Sequence, residues 1–251
     1  MADFLTTLSR RMVLAPLDDT GRTQEVADRL RTAIFVGIFA DGERLPVEVS
    51  LARQLGISPV TLRDAIKTLR HEGLVRTARG RSGGTFVTST EANTLTFLQS
   101  TFRQLTPIEL RDLNDLQMSL MAHSSRLAAE RGTERELDSL LLTVQGLHAN
   151  EDAVTLRRKF SRFLIGVSAA SRSGRVSKAT IELQVELAPF VTLILQKRSS
   201  REEVIFHMTS IVESLKSRDS EQAYYRTYQL VEGLGYDLQR LHFELSQDRA
   251  G

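Results

Sequence analysis

Apolar residues in the first third of the chain recur at helical spacing, broken by glycine and proline. Val26, Leu30, Ala33 and Ile34 share one face of a predicted helix that Thr23-Gln24-Glu25 opens and Gly37 stops. Asp41-Gly42 makes a turn, and Pro46 opens a second predicted helix carrying Leu51 and Leu55. Gly56 suits the left-handed conformation that ends a helix, Ser58 the N-cap of the next, and Pro59 the first helical position, where a missing N–H costs nothing. Leu62, Ala65, Ile66 and Leu69 then form a narrow inward stripe that Gly73 closes. Helix, tight glycine turn and second helix is the order of a helix-turn-helix. Leu74–Ala78 and Thr85–Thr88 predict two short strands around Arg79-Gly80-Arg81-Ser82-Gly83-Gly84, a hairpin wing with two arginines at its tip.

Past Ser89 the strand signals stop. Residues 91–251 hold two prolines and read as amphipathic helices near 92–104, 107–131, 133–149, 151–172, 174–196, 200–217 and 219–247, with no internal repeat. The expected organisation is an N-terminal tail at 1–20, a winged helix-turn-helix at 21–90 and an all-helical domain at 91–251. The fold class is therefore mainly α: a winged helix-turn-helix with a small β-hairpin wing, then an all-α helical bundle.

Composition narrows the classes. With 41% hydrophobic and 25% charged residues the chain is ordinary for a globular protein. No apolar run approaches the roughly 20 residues that span a bilayer. The start MADFLTTLSRRMVLAPLDD lacks the order of a secretory signal. The absence of cysteine removes disulfides, thiolate metal sites and a cysteine nucleophile, and fits a cytoplasmic location. The net charge of +2 divides unevenly: residues 1–90 hold 13 Lys/Arg against 10 Asp/Glu, residues 91–251 hold 20 against 21. The helical half holds no glycine-rich phosphate loop, zinc-protease motif or nucleophile elbow, and no catalytic residue is assigned.

On the helix from Pro59 to Glu72, Val60, Arg63, Asp64, Lys67 and His71 face away from the apolar stripe, flanked by Thr61. The start of such a helix enters a major groove, where arginine bonds guanine and Thr or Val touches a thymine methyl. Ser58 and the first helical N–H groups suit a phosphate, and Arg79, Gly80 and Arg81 of the wing suit a minor groove or backbone. The other reading of Arg63 and Lys67 is a pair of solvated partners for Asp64 or Glu72.

The stretch LPVEVSLARQLGISPVTLRDAIKTLRHEGLVRTARGRSGGTFV resembles the DNA-binding domain of the GntR superfamily, through Leu45-Pro46, Glu48, Leu51-Ala52, Gly56, Ser58, Arg63, Ala65, Leu69, Glu72-Gly73-Leu74 and Gly84-Thr85-Phe86-Val87. The resemblance implies a homodimeric repressor or activator on a pseudo-palindromic double-stranded operator. Family arginines are replaced here by Val49 and Pro59, which implies an altered base preference.

The helical half resembles the FCD effector domain of the FadR branch, through Leu127-Ala128-Ala129-Glu130-Arg131, the run Phe163–Ser171, and Ser217-Arg218-Asp219 with Ala223. The resemblance implies a central cavity, in which many members bind a divalent metal through one Asp and three His. Those positions align with Phe160, Leu164, Met208 and Leu230, and a carboxylate-binding arginine aligns with Gln117. No metal or other cofactor is expected. With Met121, these residues outline either an apolar pocket for a lipid-like effector or a filled core. The basic run Arg157, Arg158, Lys159 and Arg162, with Arg172, Arg175 and Lys178, is either a head-group anchor or a solvated face. His123, Arg126 and Gln184 are further polar candidates. Effector-gated regulator and DNA-binding protein with a purely dimerising scaffold are the two functional expectations; membrane partners are not expected.

Overall fold

The computed structural model describes residues 23–35, 39, 41–80, 83–88 and 91–247. The expected tail at 1–20, the stop at Gly37 and the wing residues Arg81 and Ser82 lie outside them. The chain divides between Phe97 and Leu98 into two compact units. It is mainly α, with a winged helix-turn-helix ahead of an all-helical bundle.

In the first unit α1 (Thr23–Phe35) packs on α3 (Pro59–His71), and α2 (Glu48–Leu55) packs on α3 as well. Val26, Ala27, Leu30, Leu51, Leu55, Leu62, Ala65 and Leu69 are closed to solvent, which is the stripe that the helical spacing requires. Gly56 takes φ 68°, and Ile57 N–H returns to the Ala52 carbonyl at 3.0 Å, so the chain turns within three residues. Arg31 forks onto Glu72 at 2.8 and 2.6 Å, tying α1 to the end of α3. The wing pairs β1 (Val75–Ala78) with β2 (Gly84–Val87) antiparallel, Val75 against Val87.

Pro46 does not open α2. Leu45 N–H donates to the Thr85 carbonyl at 2.8 Å, and Arg44 bridges Phe86. Residues 43–45 therefore run along β2, and the helix begins only after Val47, whose carbonyl accepts from Ser50 and Leu51 N–H and whose side chain makes no cap.

The remaining helices are α4 (Glu91–Phe102), α5 (Pro107–Arg131), α6 (Glu134–Gln145), α7 (Ala153–Ala170), α8 (Gly174–Ile194), α9 (Arg198–Lys216) and α10 (Ser220–Gln247). Their starts have local causes. Thr106 with Glu109, and Thr133 with Glu136, form reciprocal capping boxes, and Asp152 accepts from Thr155 N–H at 2.8 Å. In the second unit α5 lies against α10, where a Cβ on Gly235 would collide with the Asn114 amide, and the Ser125 and Thr227 hydroxyls meet at 2.7 Å. The helices α7 and α8 fold back about a turn at 171–173, and both pack on α5. His242 is structural: its Nε2 lies 2.8 Å from the Leu105 carbonyl and its ring stands edge-on to Phe102. No helix among the described residues is long and apolar enough to cross a membrane.

Candidate functional site

The outward face of α3 begins at Ser58, whose hydroxyl accepts from Thr61 N–H at 3.1 Å and lies 2.9 Å from the Thr61 hydroxyl. Pro59 has no N–H, and Leu62 N–H donates to the Ser58 carbonyl. Of the first-turn donors, Val60 N–H is therefore the one left for an outside acceptor, which narrows the expected phosphate cradle. Val60, Arg63 and Lys67 are exposed, as are Arg79 and Gly80 in the wing; Thr61 is half-buried. Arg63 pairs neither with Asp64 nor with Glu72. Its Nε donates to Glu48 Oε2 at 2.9 Å, while Glu72 is taken by Arg31. An exposed pair of this kind adds little stability. What it does is hold the guanidinium against the start of α2. Glu48 stands among the residues carrying the sequence resemblance, but a partner fifteen positions away on another helix has no periodic signature.

The expected effector residues lie in the second unit. Gln117 and Met121 come from α5, Phe160 and Leu164 from α7, Met208 from α9 and Leu230 from α10, all buried. Met121, Phe160, Leu164 and Met208 are fully buried. These four positions are filled interior in this conformation. Leu230 borders a small crevice shared with Glu203, His207 and Asp237, and a groove of about 520 Å³ lies elsewhere, lined by Ile108, Arg111, His242 and Phe243.

A divalent cation does not fit. Phe160, Leu164 and Leu230 offer no donor atom and Met208 only a thioether, and no three His, Cys, Asp or Glu side chains gather among the described residues. His207, beside Met208, borders the crevice with Leu230 but joins no group of ligating side chains among the described residues. Its ring lies against the exposed Phe206, a helical step away from the buried Met208 face.

The interior is not wholly apolar. Ser161, Thr180 and Gln184 are buried, and Ser161 Oγ, Thr180 Oγ1 and Gln184 Oε1 meet no hydrogen-bond partner among the described residues. Ser161 and Gln184 are equidistant from the 171–173 turn to within one residue, so they stand at one level of the α7–α8 hairpin. Thr180 lies one turn from Gln184, and Arg157 one turn from Ser161. Arg157 is only 5% exposed. Burial, and then the charge of Arg158, push its guanidinium down to about 9.

The expected basic cluster thus splits. Arg157 turns inward, Lys159 reaches Glu151 at 2.7 Å and the Gly146 carbonyl at 3.0 Å, and Arg162 and Arg175 are exposed. His123 is exposed, and Arg126 lies over the Tyr224 ring with Glu221 at 2.7 Å, so neither joins the interior. Ser161 and Thr180 were missed because single hydroxyls inside apolar runs carry no spacing signal.

Residues 22–87 match the family of bacterial regulatory proteins called gntR, and residues 112–233 match the FCD domain. The chain joins a GntR-type helix-turn-helix to an FCD domain. Both are regulatory, non-catalytic families. The GntR match runs from α1 through β2, and the FCD match from α5 into α10. RmpR of Mycobacterium gastri is 35% identical over 170 residues, 68% of this chain and 62% of its own length. The Glc operon transcriptional activator of Escherichia coli K12 is 32% identical over 111 residues, 44% of this chain and 43% of its own. The solved structure of E. coli McbR/YncC aligns over 89% of this chain and 99% of its own, at 16% identity and a TM-score of 0.49. The chain spans less than two thirds of the length of the curated relatives it matches.

Proposed function

We propose that this GntR/FCD protein is a transcription regulator of the FadR type, binding a pseudo-palindromic DNA operator as a homodimer in the cytoplasm and answering to a small molecule in its helical unit. The observation that carries the DNA reading is the exposed face of α3, which presents Val60, Arg63 and Lys67 from a Ser58-capped start with the basic wing residue Arg79 beyond it. Arg63 reads a base, Lys67 and Arg79 meet phosphates, and Thr61 and Gly80 line the contact. Arg81 belongs to the same wing by sequence. Repression is the sense proposed, although the Glc operon relative is an activator.

The effector reading is supported by Ser161, Thr180 and Gln184. Each buried polar group left unbonded costs about 1–3 kcal/mol, which a ligand or bound water would offset. An amphipathic effector, fatty-acid-like or otherwise hydrophobic, fits: its body among Met121, Phe160, Leu164, Met208 and Leu230 after side-chain movement, and its head towards Arg157, Gln117 and Gln184. The closed interior favours a second reading, in which the helical unit only dimerises the protein. Native mass spectrometry of the purified full chain, with denaturing extraction of the same sample, tests both. A dimer with a co-purified small molecule that releases DNA when added back supports the sensor. An empty dimer whose DNA binding no extracted compound alters supports the scaffold, and a monomer contradicts both.

A further inference from the structure

We infer that the head reads thymine methyl groups through three valines set around Arg63, so that its preferred half-site places thymines beside a guanine. This rests on the DNA-binding reading above. Val47, Val49 and Val60 are exposed at 63%, 57% and 63%. Val47 and Val49 flank Glu48 at the start of α2, and the Glu48–Arg63 contact at 2.9 Å fixes that start beside the outward face of α3. Val60 stands three residues before Arg63 on that same face, one helical turn away.

One exposed valine on a surface is ordinary. Three on the two helix starts that the Glu48–Arg63 contact joins place exposed apolar side chains on the approach to a single arginine. Among the groups a base pair shows in the major groove, the thymine C5-methyl is the apolar one. Valine suits it, because a β-branched side chain is stiff at χ1 and its methyl groups lose little freedom on docking. Glu48 is a positioning residue in this arrangement. It engages Arg63 through Nε, which leaves both terminal nitrogens of the guanidinium for guanine O6 and N7.

The test begins with selection of the full-length protein on a random-sequence DNA duplex pool. The best duplex is then resynthesised with each thymine in turn replaced by deoxyuridine, which removes the methyl and keeps the base pair. At thymines beneath the valines, affinity is expected to fall about three- to fivefold per methyl. Val60→Ser is expected to lose a similar factor on the thymine duplex and little more on the deoxyuridine duplex, the signature of one shared contact. Glu48→Gln is expected to cut preference for the guanine about tenfold while leaving the salt dependence and the melting temperature unchanged. A selected duplex whose binding ignores every thymine-to-deoxyuridine change overturns the methyl readout and leaves the DNA reading standing. A pool that yields no enriched sequence overturns the DNA reading itself, and the inference with it.

Discussion

In the winged head the groups that carry the proposed function stand in solvent: Val60, Arg63 and Lys67 on α3, and Arg79 in the wing. In the helical unit the corresponding groups are hidden, with Arg157, Ser161, Thr180 and Gln184 inside a bundle whose neighbouring positions are Phe160 and Leu164. The contrast follows from the partners. A duplex is larger than the head and is met on an outer surface, while a small molecule is held by being enclosed. Change on the head should therefore alter binding with little effect on folding, and change inside the bundle should alter folding first.

The largest expected effect comes from Phe160→Asp. Phe160 is fully buried, and an unpaired carboxylate there should lower stability by about 4 kcal/mol or more, or prevent folding. Chemical denaturation of the full chain checks it, with Val60→Asp as the exposed control expected within about 0.5 kcal/mol of the parent. A tolerated Phe160→Asp would mean that this position faces water, and the contrast would fail.

Arg63→Ala comes next. It should weaken binding to the selected duplex by about 1–3 kcal/mol, read by fluorescence anisotropy, and leave the denaturation midpoint in place. Gln184→Leu separates sensor from scaffold. Replacing a buried amide oxygen that meets no hydrogen-bond partner with an apolar side chain should stabilise the ligand-free chain by about 1 kcal/mol, and under the sensor reading it also abolishes the response to the extracted compound. A stabilised variant with its response intact would move the ligand site away from Gln184.

Smaller effects remain at the surface. Arg79→Ala should weaken duplex binding across all sequences and reduce the salt slope by about one unit if it meets a phosphate. The least is a pH effect in the helical unit. Backbone and hydroxyl hydrogen bonds at Thr106 hold Glu109 below the usual carboxylate range, and Lys216, then Arg218, do the same for Glu134. A carboxyl lowered on folding contributes stability that is complete above its unfolded pKa and lost as pH falls through the folded value. Thermal midpoints should therefore be flat near neutrality and decline only below about pH 4. A decline that begins near neutral pH would implicate a different group.

Much of the fold was legible because its punctuation is local. Gly56, Ser58 and Pro59 mark the turn of the helix-turn-helix through their own backbone preferences, and Gly73 marks the end of α3, where Leu74 N–H returns to the Leu69 carbonyl at 2.9 Å. Pro46 misled because its setting is decided by Thr85 and Phe86 across the wing, residues that no local pattern connects to it. The helix boundaries in the second unit differ from expectation by a few residues at most. The helix expected over 133–149 is the clearest case: it stops at Gln145 ahead of Gly146.

The functional groups divide along the same line. That Arg63 and Lys67 face solvent could be read from helical phase alone. Phe160, Leu164 and Met208 could not be assigned as core or as lining, since both give the same apolar stripe and packing density decides between them. The inward turn of Arg157 was hidden within a run of basic residues. Only its phase with Phe160 and Ser161 on α7, against a neighbouring helix, separates it from the exposed Arg162.

The most direct test of the account is selection of the full-length protein on a random DNA duplex pool, followed by sequencing of the bound fraction. The account predicts enrichment of one inverted repeat, with two identical half-sites, each containing a guanine whose replacement costs affinity in the parent protein and not in Arg63→Ala. A bound fraction as diverse as the starting pool, or a binding site indifferent to Arg63→Ala, would contradict it.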